Sequence, residues 1–448
     1  PKRPVDSLRD TARALVDSAA KPATAAQTPV PRSGAPAARA AAPAPRAPTV
    51  HAESVTVTTN RAVYQIASPG GVPVQVTLPA YRSLRRGAPA GSTVQLLEDG
   101  DRLFHLTLQG QDGMVDLDTV SFRFEPQTNV GGVVSQKLVS TSLARPVTLN
   151  YRFPADSFVV DVEGSRATAT GSSARSRLFV SMPARVRSDE ADLKDDTRHL
   201  AFAYRLNSGE AQSKSFSALD TVPVGDSGSV RWIAERNKYF VIAVMPAARD
   251  TAFLQLAMRG EPKVNGDAML ARATVMLPLA TDQFALRVYA GPQSWEHLRV
   301  TATELENVNP YGGWLHGLVQ PFATIVMRLL LWMRDTVNVG YGWVLVIFGV
   351  SIRLLMWPLN QNAMRSSLKM QRIQPQLQEL QNKYKNDPEK QRDAMLKMYQ
   401  EHGMSPFSPI LGCLPMMLPM PILFALYFVF QNTIELRGVS FLWLPDLS

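Results

Sequence analysis

Residues 339 to 359 read VGYGWVLVIFGVSIRLLMWPL, an apolar run whose one charged side chain is Arg353. At a rise of about 1.5 Å per residue, a helix of roughly 20 such residues covers the hydrocarbon core of a bilayer. The stretch therefore predicts a transmembrane helix. It decides the fold because it gives the chain a membrane part.

A second apolar run, residues 410 to 430, carries no charged side chain. Its length also matches one crossing of a bilayer. Pro415, Pro419 and Pro421 would break a helix in water, but prolines are tolerated in spans where neighbouring groups satisfy the freed carbonyls. We therefore expect a second transmembrane helix that is kinked at these prolines.

Residues 360 to 409, between the two runs, are polar, and their apolar side chains recur at near-helical spacing. Asp387, Pro388 and Glu389 supply an N-cap, a first-turn proline and a first-turn acid for a further helix that ends at Gly403. The pattern predicts a two-helix hairpin. Its basic side chains include Arg365, Lys369, Arg372, Lys383 and Lys385.

The distribution of positive charge predicts the orientation in the membrane. The hairpin is basic, whereas Arg437 is the only basic residue among residues 431 to 448. By the positive-inside rule the hairpin is cytoplasmic. Residues 431 to 448 and everything before Val339 then lie in the periplasm of a bacterium with two membranes, so we expect a multi-pass inner-membrane protein.

A shorter apolar stretch, Phe322 to Met333, lies within residues 311 to 335 and contains Arg328. About a dozen residues are too few to span a bilayer, so the stretch predicts an interfacial amphipathic helix. Trp314 and Trp332 suit the headgroup region. The alternative is a buried helix docked on the preceding domain.

From residue 54 to 301 apolar and polar side chains alternate, as at Leu149, Tyr151 and Phe153. This period of two, with turn signals such as Pro-Gly-Gly at 69 to 71, predicts antiparallel strands. About 250 residues of it fit one large sandwich. The expected fold class is multidomain: an antiparallel β-sandwich periplasmic domain and an α-helical transmembrane domain with a cytoplasmic helical hairpin.

Residues 1 to 50 are rich in Ala and Pro and predict a disordered linker, because they bury too little apolar surface to offset chain entropy. The net charge of +9 does not indicate DNA binding, since the basic residues are spread along the chain, this linker and the hairpin included. The single cysteine, Cys413, lies in an apolar run, so no disulfide framework is predicted.

Several local motifs accompany this order of segments. They are Ser351 to Leu359, Gly412 to Pro415, Met420 to Ile422, Phe424 to Tyr427, Glu435 to Arg437, Leu78 to Tyr81, Lys238 to Phe240 and Tyr289 to Pro292. In these motifs and their order the chain resembles the YidC family of Gram-negative bacteria over about residues 54 to 448, most specifically in the membrane part. One departure is Pro419, where the family often has a polar side chain.

The resemblance implies a membrane protein insertase and chaperone, which is not an enzyme and needs no cofactor. It implies a groove among the membrane helices, open to the cytoplasm and to lipid, that contains one Arg. The implied partners are nascent inner-membrane proteins, the lipid bilayer, the Sec translocon and the ribosome. The family core has five membrane helices, so we expect a fragment lacking the N-terminal anchor and the last three core spans.

Arg353 is the strongest single indication of function. An Arg near the middle of a span costs about 2.5 to 3.5 kcal/mol on insertion scales and normally faces a polar cavity or a partner. Arg353 lies about 6 Å from the span centre at Gly349, with about 9 Å of hydrocarbon still to cross. We therefore expect it to face the hydrophilic groove, the alternative being snorkelling to the cytoplasmic interface.

The second span offers an apolar and partly flexible surface. Methionine suits contact with many apolar partners, because its side chain is unbranched and polarizable. With the resemblance, this surface is interpreted as a substrate-contacting slide, and the alternative is ordinary lipid or helix contact. Its residues are Met416, Met417, Met420, Leu423 and Phe424.

Two interpretations of the basic side chains of the hairpin are compatible with each other. These side chains determine topology and form a solvated face. They would also attract anionic headgroups, nascent chains or ribosomal RNA.

Two other classes of function are weaker. In a membrane-anchored periplasmic ligand-binding protein the spans would only tether the sandwich, which leaves Arg353 unexplained. A periplasmic hydrolase lacks a catalytic constellation, because Gly225 to Ser229 (GDSGS) has no upstream His in a matching context. The acidic run 189 to 196 lacks calcium-loop spacing and is interpreted as a solvated loop. The six histidines form no ligand pair on one helix face, so no metal site is predicted.

Overall fold

The computed structural model describes residues 53–111, 113–167, 176–226, 228–248, 250–262, 270–309, 316–337, 340–385, 387–401, 420–444 and 446–447. The predicted linker, residues 1 to 50, lies outside the described residues. The chain divides into two compact units at residue 309. We call residues 53 to 309 the β-unit and residues 316 to 447 the helical unit.

The described part of the β-unit contains twenty strands and two short α-helices. The strands are β1 (Ser54–Thr58), β2 (Val63–Ala67), β3 (Val72–Arg82), β4 (Thr93–Gln95), β5 (His105–Gly110), β6 (Gly113–Asp116), β7 (Phe122–Phe124), β8 (Thr128–Val130), β9 (Val133–Ser140), β10 (Val147–Pro154), β11 (Val159–Arg166), β12 (Ser176–Ser181), β13 (Ala201–Leu206), β14 (Ala211–Ser215), β15 (Val224–Asp226), β16 (Val230–Arg236), β17 (Phe240–Pro246), β18 (Gln255–Gly260), β19 (Ala271–Leu279) and β20 (Gln283–Pro292). The helices are α1 (Leu193–Arg198) and α2 (Trp295–Thr301).

The strands form three sheets in which the pairings are antiparallel. The largest has the order β14-β13-β16-β17-β20-β11-β10-β9-β7, with β8 also on β9. A six-stranded sheet has the order β15-β18-β19-β12-β5-β6, and a four-stranded sheet contains β1 to β4 in sequence. Neighbouring strands such as β10 and β11 or β17 and β20 run antiparallel throughout their register. The predicted fold class, an antiparallel sandwich followed by a helical part, is confirmed.

The alternation of apolar and polar residues in the sequence matches an alternation of buried and exposed side chains in the strands. On β10, Leu149, Tyr151 and Phe153 are buried while Arg152 is exposed. The Phe153 ring packs 4.9 Å from that of Tyr64 on β2, which joins the small sheet to the large one. Every residue of β17, which lies between β16 and β20, is buried, so both faces of the sheet are covered at this strand.

The acidic run at residues 189 to 196 is not a solvated loop, so that interpretation was wrong. Asp189 is buried, and its Oδ2 accepts the Gln95 amide at 2.7 Å. Asp192 caps α1 by accepting two of its amides, each at 3.0 Å. Asp196 is also buried, and burial raises the pKa of its carboxyl. The run is acidic because it satisfies backbone amides at a junction of loops.

The helical unit contains four described α-helices. They are α3 (His316–Val337), α4 (Tyr341–Lys383), α5 (Pro388–Glu401) and α6 (Met420–Asn432). Helix α3 packs against α6. The buried residues of α3 recur at helical spacing and form one stripe: Val319, Ala323, Val326, Met327, Leu330 and Met333. On α6 the buried residues are Ala425 and Val429. The interfacial location predicted for residues 311 to 335 stays a prediction.

Helix α4 runs without interruption through 43 residues. At 1.5 Å per residue it is about 65 Å long, roughly twice the hydrocarbon thickness of a bilayer. The predicted boundary between span and hairpin, at Leu359, therefore falls inside one helix, with Pro358 next to it. The sequence pattern did not show this continuity.

Helix α5 begins at Pro388, as predicted. The Asp387 carboxylate accepts the amide of Lys390 at 3.2 Å, which is the hydrogen bond of an N-cap. Hydrogen bonds from the Lys390 side chain and amide lower the pKa of Asp387.

The chain after α6 folds back on the beginning of α4. Phe441 and Leu444 exchange two backbone hydrogen bonds of 2.9 Å and so form a tight turn. The Phe441 ring lies edge-on to the Trp343 ring, with the centroids 5.5 Å apart. A Cβ at Gly342 would lie 2.1 Å from the Phe441 ring, so only glycine allows this approach.

Candidate functional site

The first part of α4 is apolar and largely unburied. Among the described residues, the segment Tyr341–Pro358 is the one helical stretch long and apolar enough to cross a membrane, and 17% of it is buried. A helix that is apolar on all sides yet uncovered by protein needs an apolar solvent. The exposed side chains are Trp343, Val346, Ile347, Val350, Leu354, Leu355 and Trp357.

Arg353 lies within this segment, about 5 Å past its midpoint. Its side chain is exposed between the apolar side chains of the same helix. No hydrogen bond or ion pair joins it to another residue in the part of the chain that the structure describes. Arg353 is therefore a cation on an apolar surface, and the groove predicted around it stays a prediction.

Helix α6 carries a second exposed apolar surface. Met420, Leu423 and Phe424 are exposed, and they share a face with exposed Tyr427. The four residues have the spacing i, i+3, i+4 and i+7, which places them on one stripe of a helix. We call these four residues the α6 stripe. The prediction missed Tyr427, although the i+7 spacing from Met420 could have found it.

The other slide and hairpin residues are described only in part. Met416 and Met417, together with Trp314, Cys413, Pro415, Pro419 and the beginning of the predicted second span, lie outside the described residues. Arg365, Lys369 and Arg372 lie on α4, where the structure describes the backbone but not these side chains. Lys383 and Lys385 are exposed. Either reading of the basic hairpin is compatible with that exposure.

A His–Asp cluster in the β-unit has a structural role. His105 lies between Asp118, 2.5 Å from its Nδ1, and Asp101, 3.3 Å from its Nε2. Burial alone would lower the pKa of His105, but the hydrogen bonds to Asp101 and Asp118 outweigh it and raise this pKa to about 9. Asp101 also accepts the Ala184 amide at 2.8 Å. Both ring nitrogens of His105 contact carboxylates, so neither is free to act as a general base for a nucleophile.

The two units together define a class of protein. A β-sandwich with a closed core is followed by an unburied apolar helix with one cation, by a basic helical extension, and by a second exposed apolar stripe. This combination is that of an integral membrane protein with a large domain in water.

The family comparisons agree and are more specific. The pattern of the family described as YidC periplasmic domain matches residues 54 to 325, and that described as 60Kd inner membrane protein matches residues 332 to 448. The chain belongs to the YidC family, a family of inner-membrane proteins with a periplasmic domain. The resemblance found in the sequence motifs is thereby confirmed.

Two individual relatives bear the name of the YidC family. The membrane protein insertase YidC of Chlorobaculum tepidum is 30% identical over 362 residues, which cover 78% of this chain and 60% of that protein. The one from Pelodictyon phaeoclathratiforme is 31% identical over 376 residues, 78% of this chain and 63% of that protein. The chain therefore spans somewhat under two thirds of the length of these relatives.

Solved structures are more distant. A galactose mutarotase-like protein from Lactobacillus casei has a TM-score of 0.37 and 12% identity, over 53% of this chain and 100% of that one. A likeness at this level assigns neither a ligand nor an activity to the β-unit.

Proposed function

We propose that this chain is part of a membrane protein insertase and chaperone that inserts and helps to fold inner-membrane proteins without covalent chemistry. The observation that carries the proposal is the unburied apolar surface of Tyr341–Pro358 with Arg353 on it. The relatives named membrane protein insertase support it. A helix that served only as a tether would need no cation at this depth.

In the proposed mechanism Arg353 lies in a hydrophilic groove that is open to the cytoplasm and closed to the periplasm. The short polar tail of a substrate enters the groove, where an acidic tail is attracted by the guanidinium. The apolar segment of the substrate slides along Met416, Met417 and the α6 stripe. The groove lowers the cost of moving the tail, because it shortens the apolar path that polar groups must cross.

The proposed arrangement is multi-pass. The β-unit and residues 431 to 448 lie in the periplasm, residues 339 to 359 and 410 to 430 cross the membrane, and the hairpin lies in the cytoplasm. There its basic side chains would contact anionic headgroups, nascent chains or the ribosome. The Sec translocon is a further proposed partner.

The charge of Arg353 is tested with pairs of substrates that differ only in the charge of the translocated tail. Arg353→Ala should reduce insertion of the acidic substrate about fivefold more than that of the neutral one, which corresponds to about 1 kcal/mol in a hydrated groove. Arg353→Lys should retain most of the function and Arg353→Glu should be worse than Ala for the acidic substrate. Arg177→Ala, which removes an exposed arginine of the β-unit that has no role in the proposed mechanism, serves as the control. Equal defects for both substrates would mean that Arg353 acts without attracting the tail.

Orientation is tested by labelling single cysteines in intact cells, in a Cys413→Ser background. A membrane-impermeant reagent should modify a cysteine placed at exposed Ser217 in the β-unit. It should not modify one at exposed Gln381 in the hairpin until the cells are opened. Labelling of Gln381→Cys from outside would contradict the topology.

The alternative, a tethered ligand-binding protein, makes the β-unit the functional part. If insertion is the function, deletion of about residues 60 to 290 should leave most insertion activity in place. Complete loss of insertion by stably produced protein would favour the alternative.

A further inference from the structure

A cleft of about 520 Å³ opens on the surface of the β-unit. Strands β13, β16, β17 and β20 form one side, and the end of α2 with the residues that follow it forms the other. Its volume is within the range of about 300 to 1,000 Å³ that is usual for small-molecule sites. No function discussed so far uses this cleft.

The lining is basic. Four arginines line the cleft, and no Asp or Glu does so among the residues that the structure describes. The four are Arg205, Arg231, Arg287 and Arg299. Arginines placed together in this way repel one another, so the arrangement favours an anion between them.

The wall opposite the sheet is held in place by hydrogen bonds. Buried Trp232 donates its indole N–H to the Thr303 carbonyl at 3.0 Å. Arg287 donates to the Thr301 carbonyl at 3.4 Å. Because the sheet fixes Trp232 and Arg287, the cleft is formed before any ligand arrives.

Two of the arginines are oriented by carboxylates outside the lining. The Nε of Arg205 is 3.2 Å from Glu304, and that of Arg287 is 3.6 Å from Asp161. Arg299 instead lies over the ring of Trp295, 4.6 Å from its centroid, a contact that leaves its full positive charge at the cleft.

Arg231 is oriented in a different way. Its Nε donates to the amide oxygen of Asn207 at 2.8 Å. This bond to a neutral amide helps to orient the guanidinium. The cleft therefore presents several oriented guanidinium groups, which bind oxyanions through paired N–H donors.

We propose that this cleft binds a phosphate group carried by a small organic phosphate or by a phospholipid headgroup. A carboxylate satisfies one guanidinium fork with two coplanar oxygens, whereas tetrahedral phosphorus directs its free oxygens, three in a monoester and two in a diester, towards more than one guanidinium. The cleft is also larger than a bare phosphate requires, so it has room for a glycerol-sized substituent. This inference does not depend on the insertase activity.

The test is a titration of the intact chain, held in a neutral detergent, with glycerol 3-phosphate and calorimetric detection. Saturable binding that weakens as salt rises is expected, because the cleft is open to solvent. The double variant Arg231→Gln, Arg299→Gln should bind at least tenfold more weakly, since it removes two of the four guanidinium groups that line the cleft. Arg177→Gln, which removes an exposed arginine on β12 in the other large sheet, is the matched control and should bind as the unchanged chain does.

A second arm distinguishes the sources of the phosphate. The chain is titrated with short-chain phosphatidylglycerol and, separately, with phosphatidylcholine, whose headgroup is neutral overall. Binding of glycerol 3-phosphate alone identifies a soluble ligand, and preferential binding of phosphatidylglycerol that the double variant loses identifies a headgroup. If the double variant unfolds, Arg299→Lys is used, and it should keep the charge but lose a severalfold part of the affinity. Absence of saturable binding, equal binding by the double variant, or equally tight binding of succinate or an acidic peptide would overturn the proposal.

Discussion

The core tryptophan of the β-unit and the tryptophans of the helical unit differ in their exposure. Trp232 in the β-unit is 1% exposed, whereas in the helical unit Trp343, Trp357 and Trp443 are 54%, 59% and 83% exposed. Other large apolar side chains follow the same division, since the central strand β17 is buried along its whole length and Tyr341–Pro358 is mostly uncovered. The first unit buries its apolar surface within itself, and the second presents it to its surroundings.

The difference shows that apolar content alone does not identify a membrane segment. Residues of β17 are as apolar as those of Tyr341–Pro358, but their side chains are buried and their backbone is paired with neighbouring strands of the same sheet. What distinguishes the segment Tyr341–Pro358 is that it is helical, with backbone hydrogen bonds inside the helix, while most of its side chains are not covered by the described part of the protein. That is the requirement for a structure in lipid.

The largest expected effect comes from removing a core side chain of the β-unit. Phe240 is fully buried and lies edge-on to Tyr81, 5.7 Å away. Phe240→Ala should lower the free energy of unfolding of the β-unit by about 3 to 5 kcal/mol, because it loses burial and leaves a cavity. Urea unfolding followed by the β-sheet circular dichroism signal measures it.

The matched change in the helical unit is Leu355→Ala, at an exposed apolar position of α4. It should change the unfolding of the β-unit by less than about 0.5 kcal/mol. Comparable losses for Phe240→Ala and Leu355→Ala would break the contrast between the two units.

The next largest effect is a dependence of the unfolding free energy of the β-unit on pH. The pKa of His105 rises from 6.5 to about 9 on folding. The stabilisation is therefore complete below about pH 6.5 and is lost as the pH rises through about 9, with a limit of about 3 kcal/mol. Unfolding free energies at intervals from pH 6 to 9.5 measure it.

His105→Gln isolates this contribution from other titrating groups. The variant should be less stable than the unchanged chain at pH 6, and the gap between them should close towards pH 9.5. A gap that stays constant with pH would show that His105 stabilises the β-unit through packing and not through its charge.

A smaller effect is expected at the beginning of α4. Gly342→Ala should displace the Phe441 ring and loosen the turn at Phe441 to Leu444, at a cost of about 1 kcal/mol or more. Faster hydrogen exchange or protease cleavage near Trp443 would report it. Gly349→Ala, on the same helix, is the control because a Cβ there meets nothing within 4 Å. If both variants behave alike, the close packing at Gly342 is not needed to hold the turn.

The smallest effect is expected at the N-cap of α5. Asp387→Ala removes the acceptor of the Lys390 amide and should fray the first turn of the helix. Amide exchange over residues 389 to 391 should accelerate, while the β-unit is unaffected. Asp387→Asn, which keeps a capping oxygen, should restore most of the protection, and failure to do so would assign the effect to charge.

The features that the sequence predicted best are set by local chemistry. Alternation at Leu149, Tyr151 and Phe153 predicted strand β10 because an antiparallel strand buries every second side chain. Asp387 and Pro388 predicted the beginning of α5 because a cap acts over three or four residues. Both signals lie within one turn or one strand.

The features that could not be predicted from the sequence depend on residues far apart in the chain. Asp189 looked solvated because its partner Gln95 lies 94 positions earlier. The arginine-lined cleft was not foreseen, since Arg205 and Arg299 are brought together only by the sheet order and the return of α2. Arg353 was recognised from its position in an apolar run, but a groove around it depends on which helices surround it, and no local pattern specifies that.

Helix α4 continues through its two prolines, Pro358 and Pro375, so its distal half can act as a lever. Lys383 lies 25 positions beyond Pro358, about 38 Å along the helix axis. If the distal half tilts by about 10° at Pro358, Lys383 moves by about 6 to 7 Å while the residues next to the pivot hardly move. A movement of Lys383 would therefore be transmitted to a small bend at Pro358, about one and a half turns from Arg353, because the helix is continuous between them.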